Sequence, residues 1–219
     1  MRVILFGATG MVGQGVLREC LLDPSVETVL SIGRSPTGQR HPKLREIVHK
    51  DIADLAPIED RLSGCDACFF CLGVSSVGLS EAAYRPLTYD LTLKVANTLV
   101  KLNPSMTFIY VSGMGTDSTE SGRTMWARVK GQTENALLRL PFKAAYMFRP
   151  GFIQPLRGIK SRTALYRIPY VILGPFIPLL RKLFPKYVTT TEVLGRAMIK
   201  AGREGAPKKV LESRDINSL

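Results

Sequence analysis

Short apolar runs alternate with stretches whose apolar residues recur at helical spacing, from Arg2 as far as Phe148. Arg2 to Phe6, Thr28 to Ile32, Glu46 to His49, Asp66 to Leu72, Thr107 to Ser112 and Ala145 to Phe148 read as buried strands. Between them, Met11 to Leu22, Leu55 to Leu62, Tyr84 to Leu102 and Met125 to Leu140 read as helices. Pro24, Pro104 and Pro141 stop three of these helices, because proline lacks the N–H that the next turn needs. Strand, helix and strand repeated in this way predict an α/β fold with a parallel, doubly wound sheet.

The alternation breaks between Phe152 and Tyr187, where Pro155, Pro169, Pro175, Pro178 and Pro185 are scattered. A core over residues 1–151 and a small irregular lobe over 152–219 are therefore expected, the lobe returning to the core at its end. Thr189-Thr190-Thr191-Glu192 reads as a helix start with Thr189 capping and the carboxylate three residues on, leading into Val193 to Arg203. Lys209 to Glu212 reads as a last short strand. Inside the lobe, Ile168 to Leu180 is apolar, flanked by Arg167, Arg181 and Lys182, and too short and proline-broken to span a bilayer. A pocket wall, a subunit interface and a seat on an anionic membrane surface all fit that segment.

The first predicted strand runs directly into Gly7-Ala8-Thr9-Gly10-Met11-Val12-Gly13 and then a helix. In a Rossmann sheet this is a phosphate cradle: Gly7 turns the chain, Gly10 admits a pyrophosphate and Gly13 lets the helix sit close. Backbone N–H groups across Thr9, Met11 and Val12 would face the phosphates at the positive end of the helix. The second strand ends in Ser31-Ile32-Gly33-Arg34-Ser35, with no carboxylate to bind a ribose 2′-hydroxyl. Arg34 is suited to a 2′-phosphate and Ser35 can add a hydrogen bond, so NADP is expected over NAD.

With Gly33-Arg34, Tyr110-Val111-Ser112-Gly113 and Phe148-Arg149-Pro150-Gly151, the chain resembles the atypical and extended short-chain dehydrogenase/reductases. Val129-Lys130-Gly131-Gln132-Thr133-Glu134 is similar to the Tat-interacting-protein-like and bacterial epimerase-like members in particular. The resemblance implies Asp51 and Ile52 beside the adenine, Cys71, Leu72 and Gly73 along the adenosine ribose, and Pro150 and Gly151 flanking the nicotinamide. It also implies a helix-borne tyrosine and lysine spaced by four, with a serine at the end of the preceding strand. Lys130 matches the lysine that holds the nicotinamide ribose, and Ser112 matches the serine that orients a carbonyl. The tyrosine position is Trp126.

Indole donates a hydrogen bond but does not titrate usefully, so Trp126 cannot be a general acid and base. Tyr84, Tyr89 or Tyr170 could reach the site instead, the substrate could manage its own proton, or the protein could bind NADP without turnover. The first reading is an oxidoreductase, or epimerase-like enzyme, acting on a small anionic carbonyl compound; the second is an NADP(H)-sensing or partner-binding module. Composition narrows this little, since 45% hydrophobic and 22% charged residues describe an ordinary globular protein.

Charge says more. Residues 1–138 carry 14 basic and 14 acidic side chains, whereas 139–219 carry 16 and 4, so the whole net charge of +12 lies in the last third. That part is expected to face an anionic substrate, a protein partner or an anionic membrane surface. Nucleic acid is disfavoured, because no recognised basic-aromatic motif is present. Cys20, Cys65, Cys68 and Cys71 read as core cysteines, with Cys68 and Cys71 on opposite faces of one strand and so unable to share a metal. Only Arg2 precedes the first apolar run, which reaches glycine too soon for a secretory leader, and a cytoplasmic location is expected.

Overall fold

The computed structural model describes residues 1–159 and 186–219. Seven parallel strands form one sheet, in the order β3-β2-β1-β4-β5-β6-β9. These are β1 (Arg2–Phe6), β2 (Thr28–Gly33), β3 (Leu44–Val48), β4 (Ala67–Phe70), β5 (Thr107–Val111), β6 (Ala144–Arg149) and β9 (Val210–Glu212). Two further short strands, β7 (Phe152–Gln154) and β8 (Val188–Thr190), pair in parallel by themselves. The order reverses at β1, where β2 and β4 lie on either side, so the C-terminal end of β1 opens on the crevice of a Rossmann-type sheet.

The side-chain alternation of β1 feeds two cores. Val3 and Leu5 join Phe69, Ile109 and Phe148 on one face, against α1 (Met11–Leu22) and α5 (Thr191–Glu204). Ile4 and Phe6 join Phe70, Phe108 and Tyr110 on the other, against α3 (Leu91–Leu102) and the end of α4 (Met125–Arg139). Each such side chain, fully buried, contributes roughly 1.5–3 kcal/mol. Cys68 belongs to the second core and Cys71 packs on the first, which puts them on opposite faces as the strand period requires. Burial pushes the thiols of Cys20, Cys68 and Cys71 well above the ordinary range, which disfavours the nucleophilic thiolate.

Four local expectations need correction. Leu55 to Leu62 forms only a 3-10 turn over Ala56–Arg61, with Pro57 at its start. The helix expected from Tyr84 begins earlier, at α2 (Glu81–Arg85), where the Ser80 hydroxyl accepts from the Ala83 N–H. It then passes through a wide π turn, Pro86–Asp90, before α3, because Pro86 cannot donate to the preceding turn. The cap of α5 is Thr190, whose hydroxyl accepts from the Val193 N–H, while Thr189 belongs to β8. Glu192 therefore closes no capping box and instead pairs with Arg157 at 2.8 Å; the capping box of this region is Glu212 with Asp215, opening α6 (Ser213–Ser218).

Two contacts are prominent where the last third returns to the core. β9 adds to β6, and α5 crosses α1 where Gly15 and Gly195 meet. A Cβ at Gly15 would stand 2.5 Å from that of Thr191, and one at Gly195 would stand 2.8 Å from Cγ of Glu19. Buried Glu19 beside this crossing accepts from Arg196 at 2.8 Å and from Arg18. The apolar segment Ile168 to Leu180, with the rest of residues 160–185 of the expected lobe, lies outside the described residues. Among the described residues no helix is long and apolar enough to cross a membrane.

Candidate cofactor cleft

The cleft begins where β1 ends. Gly7 has φ +83°, a left-handed conformation that favours glycine, and its absent side chain would stand 2.7 Å from the Cys71 carbonyl group. A Cβ on Gly13 would fall 2.0 Å from the Gly7 carbonyl oxygen, so only glycine lets α1 start against this turn. The Gly10 N–H donates to that same carbonyl at 2.9 Å, and Gly10 then caps α1 with no side chain in the way. No acidic residue stands in the first turn of α1, and the opening N–H groups of the helix at Met11 and Val12 are free of an anionic competitor. Backbone donors, open space and the helix dipole together fit a dinucleotide pyrophosphate.

Arg34 and Ser35 follow β2 on the same edge of the sheet, both exposed. Arg34 has no hydrogen-bond or ion-pair partner among the described residues, so its guanidinium is available to an incoming anion. Asp51 lies further along that edge, where its carboxylate accepts from the Ala53 N–H at 3.0 Å and shapes the turn that buries Ile52. A groove of about 590 Å³ opens beside this turn, lined by Ala53, Leu55, Tyr89, Leu93 and Asn97. Cys71, Leu72 and Gly73 leave the end of β4 next to Gly7, as a ribose-side wall would require.

At the end of β5 the catalytic candidates come together with a change of roles. Lys130 from α4 donates to the Ser112 carbonyl, not to its hydroxyl. The Ser112 hydroxyl donates to Glu134 and lies 3.2 Å from the Phe148 carbonyl, buried and turned toward the protein. Glu134 is wholly buried and also accepts from Arg149, at 3.0 Å and 3.1 Å through Nε and again through an Nη. Arg149 reaches Ser118 at 2.5 Å and Glu212 at 3.5 Å. Breaking such a buried pair by removing one partner costs about 3–5 kcal/mol. Burial lowers the Lys130 amine to about 8, and the Glu134 carboxylate opposes that fall.

Gly113, with φ +129°, keeps the floor open: a Cβ there would stand 3.8 Å from Lys130 Nζ and 3.9 Å from the Pro150 carbonyl. Trp126 covers the next turn, its ring 3.3 Å from where a Gly115 Cβ would be. Pro150 and Gly151 close the far side, the Pro150 carbonyl accepting from the Met114 N–H at 2.9 Å. Of the expected substitute tyrosines, Tyr84 is buried, with its phenol raised by that burial. Tyr89 lies under the Arg85 guanidinium at 4.1 Å, on the 590 Å³ groove, and Tyr170 falls outside the described residues. The reading of sequence passed over Tyr187, which is 53% exposed; its carbonyl accepts from the Phe152 N–H at 2.7 Å beside Gly151. Its signal was positional and invisible before β7 and β8 were paired.

Solved structures share this architecture. The Bordetella bronchiseptica enzyme WbmF in complex with NAD+ superposes with a TM-score of 0.67 at 16% identity, covering 99% of this chain and 76% of that one. MoeE5 in complex with UDP-glucose and NAD superposes at 0.65 with 16% identity, covering 100% and 80%. At such identities the likeness establishes the fold. Among curated relatives, the mitochondrial protein fmp52-2 of Aspergillus oryzae is 28% identical over 98% of this chain and 95% of its own length. FMP52 of Chaetomium globosum, also named mitochondrial, is 28% identical over 99% and 95%. These full-length relatives overturn the expected cytoplasmic location, which rested only on the residues preceding the first strand. The glycine turn lies where the strand order reverses, the place at which Rossmann-type sheets take dinucleotides. The NAD dependent epimerase/dehydratase family matches residues 3–124, more than half of the sequence, and the chain belongs to that family.

Proposed function

We propose that the protein binds NADP(H) and reduces a small, anionic carbonyl compound, with Lys130 holding the cofactor ribose. The observation that carries this reading is the alignment along one sheet edge of the Gly7–Gly13 turn, the Lys130 amine and Arg34, which has no partner among the described residues. The resemblance of Val129 to Glu134 to the Tat-interacting-protein-like and epimerase-like short-chain dehydrogenase/reductases is consistent with the same choice. Asp51, Ile52, Cys71, Leu72 and Gly73 then line the adenosine half, and Pro150 and Gly151 the nicotinamide half. Bound NADPH would supply a hydride to the carbonyl carbon, while the carbonyl oxygen takes up a proton. Trp126 cannot give that proton, and we assign it to Tyr187, whose backbone carbonyl meets Gly151 and whose side chain is exposed. The basic last third supplies the field that would favour an anionic substrate.

A second reading, an NADP(H)-binding module that docks a partner or an anionic surface without turnover, is favoured by one observation. The Ser112 hydroxyl is already spent on Glu134, so the usual carbonyl-orienting group is turned inward. NADPH consumption across a panel of anionic aldehydes and ketones, with Lys130→Ala as control, separates the two. Turnover lost in the variant supports the reductase. Micromolar NADPH binding with no turnover on any member supports the module, and no dinucleotide binding at all refutes both.

A further inference from the structure

A glutamate without solvent contact, bonded to the very residue on which Lys130 is fixed, is an unusual use of charge. Glu134 is 0% exposed, yet it accepts from Ser112 just past β5 and from Arg149 on β6. Burying a carboxylate is costly unless its lone pairs are filled, and here the guanidinium fills them from one side and the hydroxyl from the other. A purely structural need would be met more cheaply by apolar side chains of the same volume. The retained charge acts on what lies next to it. Glu134 sits one helical turn after Lys130 on α4, so both side chains lie on the same helix face. Lys130 in turn is fixed on the carbonyl of the very residue whose hydroxyl Glu134 holds.

We propose that Glu134 is the positioning residue of the cleft: by gripping the Ser112 hydroxyl, it aims the Ser112 carbonyl at Lys130 and so holds that amine toward the cofactor ribose. This rests on the cofactor reading above, although the effect on Lys130 exists without any ligand. The groups facing the amine are Glu134 on its own helix and the Ser112 carbonyl just past β5, with Pro150 beyond Gly113. Behind Glu134 stand Arg149 from β6, Glu212 from β9 and Tyr110 from β5. Arg149 neutralises Glu134 from the rear, so the two members of the pair act on Lys130 with opposite sign. A structural pair would not distinguish them.

The test uses that difference. In the full-length protein carrying 13C-lysine, the Lys130 side-chain signal, assigned by its loss in Lys130→Met, is titrated in wild type, Glu134→Gln, Glu134→Asp and Arg149→Met. The expected result is a midpoint lowered by about one pH unit or more in Glu134→Gln, a tenfold change in the protonation equilibrium. Arg149→Met should leave the midpoint unchanged or raise it, although it loses as much thermal stability. Glu134→Asp, which keeps the charge but is too short to hold both Ser112 and Arg149, should keep the midpoint while NADPH affinity falls several-fold. It also serves if Glu134→Gln does not fold. Equal shifts in Glu134→Gln and Arg149→Met, or an Asp variant with unchanged NADPH affinity, would overturn the proposal. If wild type binds no NADPH, the cofactor reading fails, and the ligand-free titrations still decide whether Glu134 governs Lys130.

Discussion

The Trp126 indole lies against Gly115, its Cη2 3.3 Å from where a side chain on that glycine would begin. Trp126 is half-buried at the start of α4, one turn before Lys130, so the ring and the amine share a helix face. A phenol at this position would bring a titratable hydroxyl to the same end of the cleft. Trp126→Tyr is therefore expected to raise NADPH-dependent carbonyl reduction by about a hundred- to ten-thousand-fold, the usual worth of a positioned general acid. Steady-state rates on the best member of the carbonyl panel check this. A rate unchanged within twofold would mean that the proton already arrives by another path, and Tyr187→Phe would then be the variant that loses it.

Cofactor choice turns on one exposed side chain. Arg34 stands past Gly33 at the end of β2 with no partner among the described residues, so a 2′-phosphate would not have to displace an ion pair seen there. Charge-assisted bonds of this kind contribute about 1.5–3 kcal/mol. Arg34→Gln should weaken NADP binding by about ten- to a hundredfold and leave NAD binding nearly unchanged, as read by calorimetric titration of both. Equal losses for the two dinucleotides would remove the phosphate role from Arg34.

Two glycines of the turn should fail differently when given a methyl group. At Gly13 the added atom would meet the Gly7 carbonyl oxygen at 2.0 Å, which α1 can relieve only by moving off the sheet. At Gly10 the nearest atom is 3.4 Å away and φ is −77°, which alanine adopts without strain. Gly13→Ala is expected to lower thermal stability by several kcal/mol, in the range of overpacked cores, and to abolish dinucleotide binding. Gly10→Ala should unfold within a few degrees of wild type yet bind dinucleotide at least tenfold more weakly, because the methyl group takes the space of the phosphate. Thermal melts with and without NADPH separate these outcomes.

The fold was legible because each strand of the sheet carries its own apolar run and each principal helix its own stop. Pro24, Pro104 and Pro141 all fall just beyond the observed ends of α1, α3 and α4. The errors came where hydrogen bonding and not periodicity decides, as at the π turn forced by Pro86 and at the Thr190 cap. In the cleft, the glycine turn could be read because its function requires particular backbone. The inward turn of Ser112 could not, since it depends on Glu134 and Arg149, which lie 22 and 37 residues away and meet only when α4 packs against β5 and β6. A buried glutamate four residues after the lysine looks, in one sequence, like any other helix-surface charge.

The ionisation of Lys130 should push binding and stability in opposite directions with pH. Its amine is lowered by burial from 10.5 to about 8, so between these values the unfolded chain holds a proton that the folded one has released. The penalty of burying the ammonium is therefore fully present below about pH 8 and is relieved as pH rises from there toward 10.5. Cofactor affinity runs the other way, since only the charged amine can hold ribose hydroxyls and balance phosphate charge; it should decline about tenfold for each pH unit above 8. NADPH dissociation constants and thermal midpoints measured from pH 6.5 to about 9.5, compared with Lys130→Met, check both slopes. The variant should lose the decline in affinity and the gain in stability together, and a decline that persists without Lys130 would assign the titration to another group.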